Sequence, residues 1–273
     1  MIDKTPTIVT RSDWEEYAAP AVDGSQWSAV VAAAGRGTRL GFGRPKILYP
    51  VAGHTILEWL IKLLLPFCET IVFVLAPEGR KDVEPELERL APGRYRVAIQ
   101  PNPAGMGDAV AVGAGRVETA HTAVIWGDQV AIRPASIESV FRLHAGPLAP
   151  ALTVPTVPRL DPYIHFERDP SGRISRLLQA REGDPMPPRG ESDTGLFCFR
   201  SDVLRGLLRQ IRSHGAAQGA ETGEFNLLPV IPFAAVSGYA ILTPQLMEPE
   251  ETVGINCPAD AARIQPFLER IYG

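Results

Sequence analysis

Residues 29–57, AVVAAAGRGTRLGFGRPKILYPVAGHTIL, constrain the fold more than any other stretch of the chain. Six small or β-branched residues, Ala29-Val30-Val31-Ala32-Ala33-Ala34, run without a polar interruption. Such a run predicts a strand covered on both faces. Gly35-Arg36-Gly37-Thr38-Arg39 then ends it. Gly35 and Gly37 let the backbone turn sharply and approach a ligand. The N–H groups of such a turn suit phosphate oxygens. Arg39 and Lys46 add two cations, and Pro45 stiffens the backbone ahead of the lysine. The plain alternative is a glycine turn with solvated charges. Spacing disfavours two other phosphate motifs. A Gly-x-Gly-x-x-Gly fingerprint needs glycine where Leu40 stands, and Glu58 falls in a helical stretch. No Gly-Lys-Ser/Thr follows, so a Walker loop fails as well.

Downstream, apolar runs alternate with helical patterns. Ile56–Leu65 predicts a helix stopped by Pro66, Thr70–Leu75 a buried strand, and Gly79–Leu90 a charged surface helix. Tyr95–Ile99 predicts a third strand, followed by a rigid loop from Gln100 to Asp108 and a small-residue helix over Ala109–Glu118. Thr122–Trp126 predicts a fourth strand ending in Gly127-Asp128. This alternation implies a parallel sheet with right-handed crossovers, whose ligands bind beyond the carboxyl ends of the strands. The Gly35 turn, the Gln100 loop and Asp128 all fall at such ends.

The second half changes character. Ala151–Val157 reads as a strand, and Ile164–Arg168 and Arg173–Leu178 flank a hairpin turn at Asp169-Pro170-Ser171-Gly172. A proline-bearing loop over Glu182–Gly190 is long enough to cover a substrate. Thr194–Phe199 is a strand, Ser201–Arg212 a helix with a serine cap, and Thr222–Asn226 the start of another short helix. Tyr239–Thr243 is a late strand and Pro258–Tyr272 a closing helix. Residues 1–26 form an N-terminal extension in which Ser12 is placed to cap a helix over Asp13–Tyr17.

A net charge of −4 disfavours nucleic acid as a partner, so any anion site is local. Cys68, Cys198 and Cys257 are too far apart for a metal knuckle and read as reduced thiols. The richest apolar stretch, Ile56–Leu65, carries Glu58 and Lys62, which argues against a membrane span. The N-terminal residues lack a basic segment leading into an apolar one; a cytoplasmic enzyme is expected.

The full pattern AAGRGTRLGFGRPKIL, with its Gly-x-Gly-Thr-Arg, short loop and Pro-Lys, resembles the signature of the sugar-1-phosphate nucleotidyltransferases, in particular their uridylyltransferase members. Matching stretches follow in the same order over most of residues 27–273. The resemblance implies a Rossmann-like nucleotidyltransferase fold, α/β with a mostly parallel sheet, and a β-hairpin-rich acceptor part. It implies one domain over 27–273, divided into a nucleotide-binding half (27–150) and an acceptor-binding half (151–273). No hexapeptide repeat appears, so the acetyltransferase β-helix carried by some members is not expected.

The implied reaction joins a nucleoside triphosphate, with UTP expected, to a sugar-1-phosphate and releases pyrophosphate. Arg39 and Lys46 would hold the triphosphate. Asp128 and Asn256 would ligate Mg2+, Asp128 after the apolar strand and Asn256 in the sequence VGIN. Ala33, Ala34, Gly35, Gly37, Thr38 and Gly127 would bind the nucleotide. Gln100, Gly105 and Met106 would meet the base, with Met106 standing where the uridylyltransferases carry threonine. Tyr163, Gln179, Asp193, Thr194 and Glu224 correspond to the acceptor pocket with altered polar groups. Two alternatives remain open: cytidylyl transfer to a phosphorylated or phosphonate alcohol, and a catalytically silent nucleotide-sugar-binding regulator. The expected partners are small molecules, with neither nucleic acid nor membrane; the sequence is compatible with a homo-oligomer.

Overall fold

The computed structural model describes residues 8–9, 13–35, 37–215 and 217–272. Among them eight strands form the central sheet: β1 (Ile8–Val9), β2 (Trp27–Ala32), β3 (Thr70–Leu75), β4 (Tyr95–Ile99), β5 (His121–Trp126), β6 (Leu152–Thr153), β7 (Leu196–Arg200) and β8 (Ile241–Pro244). Their spatial order is β1-β8-β6-β7-β5-β2-β3-β4. The pairs β5–β2, β2–β3 and β3–β4 are parallel, whereas β7 runs antiparallel to both β5 and β6. The helices are α1 (Trp14–Tyr17), α2 (Ile56–Leu64), α3 (Arg80–Leu90), α4 (Met106–Ala114), α5 (Pro134–His144), α6 (Ser201–His214), α7 (Val230–Val236) and α8 (Pro258–Tyr272). The mostly parallel sheet flanked by helices is the architecture expected from the sequence.

β2 is the axis because both of its faces are covered. Trp27, Ala29 and Val31 pack into a core shared with Leu57 and Leu60 of α2, Val140 and Phe141 of α5, and Ile264 of α8. Val30 and Ala32 pack into a second core shared with Val110 of α4 and Leu204, Leu207 and Ile211 of α6. The period-two alternation of a strand divides these residues between the two layers. Glu58 does not serve a ribose: its side chain accepts from the Thr55 backbone N–H at 2.7 Å and closes the capping box of α2.

Several local expectations are corrected. α4 begins at Met106 rather than Ala109, because Gly105 turns the chain and Asp108 favours the helix N-terminus. The strand expected over Ala151–Val157 divides at Val154-Pro155 into β6 and an outer strand, Thr156–Leu160, which pairs with Arg189–Asp193. Ser201 does not cap α6; its hydroxyl pairs with that of Thr122 at 2.7 Å, and Arg200 occupies the cap position. Thr222–Asn226 forms no helix. The Glu182 carboxylate accepts from Thr222 Oγ1 at 2.8 Å, the Glu221 N–H at 3.1 Å and Asn226 Nδ2 at 3.0 Å, diverting this segment from a helical ladder.

The hairpin about Asp169–Gly172 forms as expected, with Ile164–Arg168 antiparallel to Ile174–Gln179. The Ser12 cap expected from the sequence lies outside the described residues; Asp13 stands at the cap position of α1, and its side chain makes no capping hydrogen bond to the helix. The extension contributes β1, which pairs parallel with β8. Cys68 and Cys198 are buried and Cys257 half-buried, all as free thiols. Among the described residues no helix is long and apolar enough to cross a membrane.

Candidate active site

Four segments distant in sequence meet at the carboxyl ends of β2 and β5. β2 stops at Ala32, and the Ala33 N–H donates to the Val74 carbonyl at 2.9 Å. Ala34 is half-buried and Gly35 exposed as the chain leaves the sheet. Gly37, in a left-handed conformation, leads into a 3-10 turn over Thr38–Leu40 that places Thr38 and Arg39 at the surface. A second such turn, Lys46–Leu48, starts after Pro45. On the neighbouring strand, Gly127 and Asp128 follow Trp126 directly.

Lys46 Nζ donates to Asp128 Oδ2 at 2.5 Å and to Asn256 Oδ1 at 2.9 Å. Arg39 Nη2 donates to the same Asn256 oxygen at 3.1 Å. Asn256 is fixed from behind, since its N–H and that of Cys257 donate to Asp260 Oδ2 at 2.8 and 2.9 Å. The Ile255 N–H donates to the Asp128 carbonyl at 3.0 Å and ties this late segment to the end of β5. A Cβ on Gly254 would stand 2.9 Å from Asp128 Oδ1, so glycine is needed for the carboxylate to sit here.

Two hard oxygens, a carboxylate and an amide carbonyl, thus converge on one ammonium group. Oxygen pairs of this kind suit Mg2+, which keeps several waters and needs few protein ligands. Among the described residues no cluster of three or more His, Cys, Asp or Glu offers an alternative metal cage.

The second element is the loop after β4. Gln100 is 5% exposed, and its N–H donates to the Leu75 carbonyl at 2.9 Å. Its Nε2 donates to the Gly105 carbonyl and to Asp108 Oδ2, each at 3.0 Å. Gly105 has φ +109°, and a Cβ there would meet the Phe225 carbonyl oxygen at 2.6 Å. Met106 opens α4 and packs half-buried against the second core.

The five acceptor-side candidates separate into two groups. Tyr163 is exposed, and its carbonyl accepts from the Ala180 N–H at 3.0 Å. Gln179 ends the neighbouring strand, opposite Ile164, and Glu224 forms an ion pair with Arg181 at 2.7 Å. Asp193 and Thr194 are instead buried. The Thr194 carbonyl accepts from Gln129 Nε2 at 2.5 Å, one residue beyond Asp128. Asp108 and Glu182 were not singled out by sequence reasoning, because an acidic residue in a polar loop looks solvated until its partners are seen.

Burial pushes the Asp193 carboxyl up to about 6, although the Gly195 N–H donates to it at 2.7 Å. An acid raised in the folded state holds its proton more tightly than in the unfolded chain. Its contribution is therefore present below pH 4 and lost as pH rises through 6. Asp193→Asn keeps the acceptor for Gly195 and removes the buried charge. The variant is expected to be more stable than the parent by about 2 kcal/mol at pH 8, with the gap closing toward pH 4. Thermal unfolding across that range checks this; a pH-independent difference would exclude the buried charge as its cause.

Comparison with known proteins bears on this rim. The chain is 28% identical over 249 residues to bifunctional protein GlmU of Pelotomaculum thermopropionicum, covering 89% of this chain and 52% of that protein. It is 26% identical over 245 residues to bifunctional protein GlmU of Pseudomonas paraeruginosa, with the same coverage. The chain therefore spans about half the length of these relatives. Among solved structures, the inositol-1-phosphate CTP transferase from T. maritima shares the fold, with a TM-score of 0.68 at 17% identity over 92% of this chain and 97% of that one. The model of the MobA-like NTP transferase domain matches residues 29–189, more than half of the chain, and the protein belongs to that family of nucleotidyltransferases.

Proposed function

We propose that this chain transfers a nucleotidyl group from a nucleoside triphosphate, with UTP expected, to the phosphate of a sugar-1-phosphate. The observation that carries this reading is the meeting of Arg39, Lys46, Asp128 and Asn256 at one point beyond β2 and β5. An acceptor phosphate oxygen forms a bond to the α-phosphorus, the bond from that phosphorus to the α,β-bridging oxygen breaks, and pyrophosphate leaves. The nucleophile is already anionic, so the residues face a problem of charge and alignment rather than of proton removal.

Residues 27–150 supply the triphosphate side and residues 151–273 the acceptor side. Gly35, Gly37 and Thr38 offer the phosphates a flexible turn beside the sheet, with Ala33, Ala34 and Gly127 forming its floor. Arg39 offers a planar fork and Lys46 a point charge to the phosphate oxygens. Asp128 and Asn256 would hold Mg2+, which when bound neutralises charge on the triphosphate and the leaving group. Gln100, Gly105 and Met106 take the base. Tyr163, Gln179 and Glu224 face the acceptor, while the buried Thr194 carbonyl positions Gln129 behind Asp128 and Asp193 fixes the turn at Gly195.

Cytidylyl transfer to a phosphorylated alcohol is the second reading. Met106 and the altered acceptor pocket keep it open, because Met106 removes a hydroxyl from the base pocket of the uridylyltransferase pattern.

The test is pyrophosphate release with Mg2+ for UTP, CTP, dTTP, ATP and GTP, each against a panel of sugar-1-phosphates and phosphorylated or phosphonate alcohols. Mass spectrometry identifies the product. Release that requires UTP and one sugar-1-phosphate, and stops on chelation, is the expected result. Release with CTP alone selects the second reading. Nucleotide binding without release for any pair would overturn both.

A further inference from the structure

The base-loop glutamine does not hang free. Its Nε2 carries two hydrogens, and both neighbours that it meets, the Gly105 carbonyl and the Asp108 carboxylate, only accept, each at 3.0 Å. An inverted amide would set its oxygen against two oxygens, so the network fixes which end is nitrogen. Both N–H groups are taken, and Oε1 is the end left to meet a ligand.

Asp108 is itself held. Arg212, in the last turn of α6, donates from Nη2 to Asp108 Oδ1 at 2.7 Å. The Arg212 guanidinium lies 4.6 Å from the centre of the Phe225 ring. The Phe225 N–H donates to the Ala104 carbonyl at 2.8 Å, and its carbonyl accepts from the Gly107 N–H at 2.8 Å. The arginine that orients Asp108 is therefore stacked on a residue bonded to the same loop.

We propose that Asp108, held by Arg212, is a positioning residue for base selection. It locks Gln100 as a hydrogen-bond acceptor toward the base, and so selects a pyrimidine whose ring N3 carries a proton. Uracil and thymine offer N3–H between two carbonyls. Cytosine presents an unprotonated N3, whose lone pair would face Oε1. The inference rests on the nucleotidyl-transfer reading above and names the device that sets its base preference.

The experiment compares kcat and KM for UTP and CTP, with the acceptor identified by the panel, in the parent, Asp108→Ala and Arg212→Gln. The parent is expected to prefer UTP. Asp108→Ala removes one of the two acceptors that fix the amide and leaves only the Gly105 carbonyl against inversion, so its UTP-to-CTP ratio of kcat/KM should fall roughly tenfold, mainly through a higher KM for UTP. Arg212→Gln, at an exposed side chain, leaves the carboxylate in place and should lower the ratio by about threefold. Damage to the fold alone would weaken both nucleotides equally. An unchanged ratio in both variants, or a parent that prefers CTP, would overturn the lock while leaving nucleotidyl transfer standing. A parent inactive with every pair would instead remove the reading on which the lock rests.

Discussion

Lys46→Met is expected to lower nucleotidyl transfer by about a thousandfold and, at the same time, to tighten the binding of a divalent cation to the free protein. The two effects share one cause. The Lys46 ammonium stands 2.5 Å from Asp128 Oδ2 and 2.9 Å from Asn256 Oδ1, between the two oxygens proposed as Mg2+ ligands. The side chains of Lys46 and Asp128 are only 15% and 19% exposed, so water screens the pair weakly. In the free protein a dication has to compete with this ammonium. With triphosphate present the lysine has phosphate oxygens as alternative partners, and its charge goes where negative charge develops.

Methionine keeps most of the stem and removes the charge. Mn2+ binding followed by paramagnetic resonance should tighten by about tenfold in the variant, even as pyrophosphate release collapses. Asp128→Asn is the counter-case and should lose both. Mn2+ affinity in Lys46→Met equal to or weaker than the parent's would show that lysine and metal do not share the site. Activity within tenfold of the parent would remove Lys46 from the catalytic group.

Much of this rim was legible in the sequence because its elements are short-range. The apolar run before Gly35 announces a strand, the glycines announce a turn, and Gly127-Asp128 closes a second strand. Alternating strands and helices then place all three at one edge. Asn256 is different: its turn by itself reads as an ordinary cap, and only the family pattern and the Lys46 contact bring it to the site. The acceptor side was less legible. Asp193 and Thr194 lie in a polar-looking stretch, yet their burial follows from the pairing of Arg189–Asp193 with Thr156–Leu160. The capture of Thr222 and Asn226 by Glu182 depends on contacts about forty residues away in the chain. No local periodicity encodes such contacts, and a helix was expected where a side chain in another loop took the hydrogen bonds.

Gly127→Ala is the second change with a large expected effect, and it separates packing from ligand contact along the same rim. A Cβ on Gly127 would come within 2.5 Å of the Ala32 carbonyl oxygen and 2.9 Å of Ala33 Cα. Both are backbone atoms at the end of β2, and neither can rotate away. The Gly127 N–H also donates to that Ala32 carbonyl at 3.0 Å, so relief of the clash strains a bond that joins β2 to β5. Overpacking of this kind costs about 1–3 kcal/mol. The displaced residue is followed by Asp128, and a shift of about 1 Å there should lower transfer by roughly a hundredfold. Gly35 supplies the contrast, because a Cβ there meets nothing within 4 Å. Gly35→Ala should keep stability within about 0.5 kcal/mol and raise the KM for nucleotide, since its surroundings are open to ligand rather than filled by protein. Urea unfolding of both variants beside nucleotide titrations distinguishes the two roles. Parent-like stability and activity in Gly127→Ala would mean that the ends of β2 and β5 can part without cost, and the close strand contact would then no longer account for the placement of Asp128.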